Sequence, residues 1–251
     1  MSDTWEVYFA NVNDAIASLV VDLGIRDSVP DPERTWLLWC WVYFQQPDEN
    51  GLSTSEEAPT LGEIEDSLTN SVKLIGAELV GRITTAGHHE FYFYGPRPNR
   101  FEKAVATAMR VAPGYEFDSG SQKDHEWSHY LNVLYPSPED RQRIANRQVI
   151  ESLESHGDSL EHPRLVSHWI YFGSAEDRSR FVTQAVRRGF KITDEFQAND
   201  SETSQPFSVT LERSDHVDWD TINEVTLDLF RLAQSCGGDY DGWETSVEKG
   251  G

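Results

Sequence analysis

Two cysteines and two methionines stand in a chain of 251 residues, basic side chains number 21 against 43 acidic ones, and no apolar run approaches the roughly 20 residues that a membrane helix needs. Each scarcity excludes something. Cys40 lies in an aromatic run and Cys236 at a helix end, with no C-x-x-C and no disulfide-like spacing, so no disulfide framework is expected and a reducing cytoplasm is the simpler setting. The shortage of Lys and Arg leaves a formal charge of −22, which repels phosphate backbones and anionic membrane surfaces. Direct binding of nucleic acid or membrane is therefore disfavoured, and the partner expected is a protein with a basic segment. The acidity is spread along the chain: −12 up to Pro136 and −10 beyond it. The first residues, Met1-Ser2-Asp3-Thr4-Trp5-Glu6, lack the basic and apolar regions of a signal peptide. No G-x-S-x-G, Walker loop or G-x-G-x-x-G occurs, and neither cysteine has an adjacent histidine to activate it.

What the chain does have is aromatic bulk, 12% of residues with eight Trp, which points to a packed core. Trp5 to Phe9 and Ala15 to Leu23 read as opening strands, and Trp36 to Phe44 is so uniformly apolar and aromatic that a central, largely buried strand is expected. Thr60-Leu61-Gly62-Glu63 has capping-box spacing ahead of a stripe at Ile64, Leu68, Val72, Ile75 and Leu79. Gly81 to Thr85 and His89 to Tyr94 flank a turn at Ala86-Gly87-His88, and a second helix carries Phe101, Val105, Ala108 and Met109. Tyr115 to Phe117 and Trp127 to Tyr135 read as further short strands.

Pro136-Ser137-Pro138-Glu139-Asp140 marks the expected boundary between domains 1–136 and 137–251, because Ser137 can cap a helix with Pro138 at its first position. That helix is expected to run to about His156. After it come a strand at Val166 to Phe172, a helix opened by Ser174, strands at Phe190 to Phe196 and Phe207 to Glu212 about a polar stretch 198–205, a helix from near Asp218, and a closing strand at Tyr240 to Trp243. From Trp36 onward in the first half, and again from Val166 in the second, the order reads strand, helix, strand, strand, helix, strand. The fold class expected is α+β, two tandem ferredoxin-like α/β sandwiches with antiparallel sheets and helices on one face.

One literal catalytic pattern occurs, His125-Glu126-Trp127-Ser128-His129, matching H-E-x-x-H. Zinc chemistry needs helical spacing there, whereas an extended segment holds the two histidines roughly 13 Å apart at about 3.3 Å per residue. The expectation is an exposed strand entrance with no metal, no cofactor and no catalysis; a metal-dependent hydrolase using His125, Glu126 and His129 is the alternative. His88-His89 is placed at a hairpin turn, and His156, His162 and His168 are read as solvated or locally hydrogen-bonded. In Gly238-Asp239-Tyr240-Asp241-Gly242-Trp243, two aromatics interleave with two carboxylates, as in a terminal strand with inward rings and outward charges.

The second half, through Ser167-His168-Trp169-Ile170-Tyr171-Phe172, Gly189-Phe190-Lys191-Ile192 and above all Gly238 to Trp243, resembles the regulators of ribonuclease E activity, type B. The first half, through Trp36 to Phe44, His89 to Tyr94 and Trp127 to Pro136, resembles the domain family of unknown function numbered 695. The regulator resemblance implies a non-catalytic ferredoxin-like module that binds a basic, disordered part of ribonuclease E and modulates RNA turnover. The chain differs from the typical regulator in its extra domain and in lacking a long acidic tail. On this reading Asp239, Tyr240, Asp241, Trp243 and Glu244 are the candidate partner-binding residues, with the carboxylates the better contacts and the aromatics also fitted to a core role.

Overall fold

In the computed structural model, which describes residues 2, 4–12, 15–198 and 203–248, the run beginning at Trp36 forms β3 (Trp36–Tyr43). Leu38, Cys40 and Val42 face one way and are buried, while Trp39, Trp41 and Tyr43 face the other and are half-buried. β3 is central: it pairs antiparallel with β5 (His88–Gly95) on one side and β6 (Phe117–Lys123) on the other. β4 (Glu78–Thr85) joins β5 through Ala86 and Gly87, both at positive φ, as a two-residue hairpin requires. The hairpin of β1 (Trp5–Val12) and β2 (Ala15–Asp22) extends the sheet, giving the order β1-β2-β4-β5-β3-β6. Its last four strands, with α1 (Ala58–Lys73) and α2 (Phe101–Ala108) in the crossovers, make the ferredoxin-like arrangement. Ile64, Leu68, Val72, Phe101 and Val105 of these helices join Leu38, Phe91 and Phe93 in one core.

Three local expectations are corrected. α1 starts at Ala58, with Pro59 in its first turn, and not at a Thr60 capping box; the Glu57 carboxylate instead accepts from the backbone N–H groups of Gln45 and Gln46. The strand expected at 115–117 lies at Phe117–Lys123, over a run, Asp118 to Lys123, with no apolar side chain. As an edge partner of β3, this strand needs little apolar content, and most of its residues are exposed. The strand expected at Trp127 to Tyr135 is helical, its core a π-helical turn at Tyr130–Leu134.

The chain divides into two units, Met1–Asp140 and Arg141–Gly251, the division falling in the first turn of α3 (Pro138–Ser155). Ser137 caps that helix, its hydroxyl accepting from the Asp140 N–H at 3.2 Å. The second unit continues with β7 (Arg164–Phe172), α4 (Ala175–Arg187), β8 (Lys191–Gln197), β9 (Phe207–Asp215), α5 (Trp219–Ser235) and β10 (Gly238–Thr245). Its antiparallel sheet has the order β10-β7-β9-β8, again ferredoxin-like. α4 and α5 are capped by Ser174 and Asp218 and pack Phe181, Ala185, Leu229 and Leu232 onto Ile170, Phe172, Val209 and Leu211. Part of the expected polar stretch 198–205, namely 199–202, lies outside the described residues. Among the described residues no helix is long and apolar enough to cross a membrane.

Candidate functional site

α5 ends where Gly237 takes φ 79°, a left-handed conformation that glycine adopts without strain. The next residue, Gly238, pairs with Phe172 so closely that a Cβ there would stand 2.3 Å from the Phe172 ring. This start directs β10 along β7, and the strand order leaves β10 at the sheet edge. Tyr240 and Trp243, three positions apart, would face opposite sides of a regular strand. A bulge between Tyr240 and Gly242 brings both inward, at 8% and 7% exposure. The Tyr240 hydroxyl lies 2.8 Å from Nδ1 of His168, and Trp243 Nε1 donates to Oδ1 of Asn146 at 2.9 Å. Asp239, Asp241 and Glu244 are exposed, with Asp239 accepting from Gln205. Of the five residues marked in the sequence, the three carboxylates line the outside and the two aromatics belong to the interior.

Two features beside this edge were not anticipated. Between α3 and β10 runs a groove of about 530 Å³, lined by Val149, Leu153, His156, Trp243, Glu244 and Val247 among others. On the opposite side of the sheet, away from the unit's own helices, Ser167, Trp169 and Tyr171 are half-exposed. The register places Tyr171 opposite Asp239, Trp169 opposite Gly242, and Ser167 opposite Glu244. The alternation Ser167, Trp169, Tyr171 against His168, Ile170, Phe172 was available as a signal, because a strand with one face in a core seldom needs large aromatics on the other.

The His125 to His129 segment is built differently from the expectation. Asp124 caps a short helical turn, accepting from the backbone N–H of Ser128 at 2.9 Å and of His129 at 3.0 Å and from the Tyr94 hydroxyl at 2.6 Å. Burial raises the Asp124 carboxyl, but these hydrogen bonds outweigh it and hold the group below its ordinary range. Trp127 takes φ 55° and its ring stacks on Tyr94, centroids 3.8 Å apart. His125 is exposed in the preceding turn, whereas the His129 ring packs against Tyr92 at 4.1 Å. Burial lowers the His129 pKa despite Asp124 and Glu90 nearby. The left-handed residue between them removes the helical spacing that H-E-x-x-H chemistry requires, so the segment's helicity does not restore the motif. Among the described residues no group of three or more His, Cys, Asp or Glu is placed to hold a metal ion.

His168, read from the sequence as solvated or locally bonded, is fully buried; burial, with Arg213 nearby, lowers its pKa to about 3. His89 is buried too, bonded to Thr84 at 2.8 Å and likewise lowered to about 3 by burial, with Arg82 and His88 adding to it. His88 instead lies 2.9 Å from Glu90, which raises its pKa. Neither cysteine forms a disulfide, and burial pushes the Cys40 thiol up to about 12, so it is not poised as a thiolate.

Residues 143–245 match the family model described as Regulator of ribonuclease activity B. Curated relatives bearing that name come from Psychromonas ingrahamii, 26% identical over 43% of this chain and 88% of the relative, and from Pseudoalteromonas atlantica, 26% identical over 40% and 86%. A third, from Colwellia psychrerythraea, is 25% identical over 40% of this chain and 87% of its own length. Residues 3–135, about half of the chain, match the model of the family of unknown function DUF695, and the chain belongs to that family, with a unit similar to Regulator of ribonuclease activity B following it.

Proposed function

We propose that this protein is a non-catalytic regulator of a ribonuclease, acting by holding a basic segment of that enzyme or of its assembly along β10. The observation that carries the reading is the free edge of β10 with Asp239, Asp241 and Glu244 turned outward beside it. An edge strand presents unpaired backbone groups to which an extended segment adds by main-chain hydrogen bonds, and carboxylates along it steer Lys and Arg. The formal charge of −22 gives the same preference at long range and opposes direct contact with RNA. The names of the relatives supply the ribonuclease; the cytoplasm is the compartment that fits such a partner.

The test pairs binding with activity. The ribonuclease of the source cell is titrated with the protein and with a variant carrying Asp239→Asn, Asp241→Asn and Glu244→Gln. The expected outcome is altered ribonuclease activity with the native protein, and for the variant weaker binding with a shallower dependence on salt, since fewer screened charge contacts remain. Unchanged affinity and salt response would place the interface elsewhere on the molecule.

A further inference from the structure

A strand added to an edge alternates its side chains between the two faces of the sheet. At β10 those two faces differ in chemistry. On the helix side, the groove between α3 and β10 offers Val149, Leu153, Trp243 and Val247. On the other side stand the exposed carboxylates Asp239 and Glu244, the latter paired with Ser167 while also bordering the groove, with Tyr171 opposite Asp239 and the Trp169 indole opposite Gly242. Because Gly242 has no side chain, β10 does not screen that indole from the edge. An added strand lies two strand spacings from β7, roughly 10 Å between backbones, a gap that a long arginine and a broad indole close between them. A cation over the indole face is favoured further by the ring quadrupole.

We infer that the segment held by β10 is an extended strand of alternating composition, aliphatic residues turned into the α3 groove and Arg or Lys residues turned over Asp239, Glu244 and Trp169. This rests on the reading of the β10 edge as the docking site and goes beyond it in specifying the sequence pattern of the partner. A segment that is merely basic satisfies one face and leaves the groove unfilled; a merely apolar one leaves the carboxylates without counter-charges.

The experiment uses the full chain and two labelled octapeptides of identical composition, one alternating Arg and Val, the other with four Arg followed by four Val, titrated by fluorescence anisotropy at low salt. The alternating peptide is expected to bind at least about tenfold more tightly. Ser152→Trp, which puts an indole into the groove from an exposed position on α3, is expected to abolish that difference while leaving the block peptide's affinity unchanged. Hydrogen exchange gives an independent check on the native chain, since strand addition protects β10 amides. Equal affinities for the two peptides, both weakened by neutralising the β10 carboxylates, would overturn the alternation and leave the proposed docking edge standing. Affinities indifferent to those carboxylates, or no binding of either peptide, would overturn the docking edge and the alternation with it.

Discussion

The Trp243 indole and the Asn146 amide meet at 2.9 Å inside the second unit, a hydrogen bond that joins the last strand to the first helix of that unit beside the buried cluster of Ile150, Leu153 and Trp243. The same amide donates to Asn223 Oδ1 at 2.8 Å and Thr226 Oγ1 at 2.7 Å on α5 and accepts from Gln142 at 2.9 Å. Asn146 is fully buried, and its loss takes away the acceptor of the Trp243 indole N–H and the donor to Asn223 Oδ1, whereas the Thr226 hydroxyl keeps its bond to the Ile222 carbonyl. Asn146→Ala is expected to cost about 2–4 kcal/mol, the sum of more than one unsatisfied buried group. Urea unfolding measures it. A loss below about 0.5 kcal/mol, the range of ordinary surface substitutions, would show that the network does not hold α3 in place.

Two glycines are expected to respond in opposite directions to alanine. At Gly238 the new Cβ meets Phe172 at 2.3 Å and the Tyr171 carbonyl at 2.9 Å, so either β10 or a core ring must move. A destabilisation of roughly 1–3 kcal/mol follows. At Gly62, within α1, a Cβ meets nothing within 4 Å, and Gly62→Ala is expected to stabilise by about 0.4–1 kcal/mol. Paired thermal melts distinguish the two; a harmless Gly238→Ala would mean that the β10 start is less tightly packed than its geometry requires.

Stability is expected to fall as the solution is acidified from neutrality. His168 and His89 each have a folded pKa lowered to about 3 by burial, against about 6.5 unfolded. Below the unfolded value the unfolded chain binds protons that the folded chain refuses, so the contribution is complete above pH 6.5 and is lost as pH falls towards 3. Each histidine contributes a limiting slope of about 1.4 kcal/mol per pH unit within that window. His168→Asn should flatten the slope by one proton; an unaltered slope would locate the acid sensitivity in other groups.

Asp124→Ala is expected to cost about 1–3 kcal/mol and to loosen the 124–135 segment, because two backbone N–H groups and the Tyr94 hydroxyl lose their common acceptor. Near-ultraviolet circular dichroism reports the Trp127 stack on Tyr94, and a spectrum identical to that of the native protein would contradict the capping role.

Strands β1 to β5, the helix faces at Ile64, Leu68 and Val72 and at Phe101, Val105 and Ala108, and the element order of the second unit were legible because alternation and helical spacing are properties of short windows, although the first stripe stops at Val72 and Leu79 belongs to β4. Ser137, Ser174 and Asp218 announced their helices for the same reason: a cap acts on residues two or three positions away. Residues 118–135 depart from the expectation because their conformation is fixed from elsewhere. β6 is a strand because β3 offers it an edge, and 128–134 is helical because Asp124 and Tyr94 fix its start, neither of which is visible in local hydropathy.

The candidate site divides in the same way. The sequence by itself determined the acidity and the composition of the last strand, carboxylates interleaved with two aromatics, since charge and residue type are written locally. The tertiary structure decided that β10 is an edge, that a bulge at Gly242 turns both rings inward, and that α3 stands off to leave a groove. These depend on strand order and on a contact between residues 97 positions apart, Asn146 and Trp243, and such long-range pairing is settled only when the whole core closes.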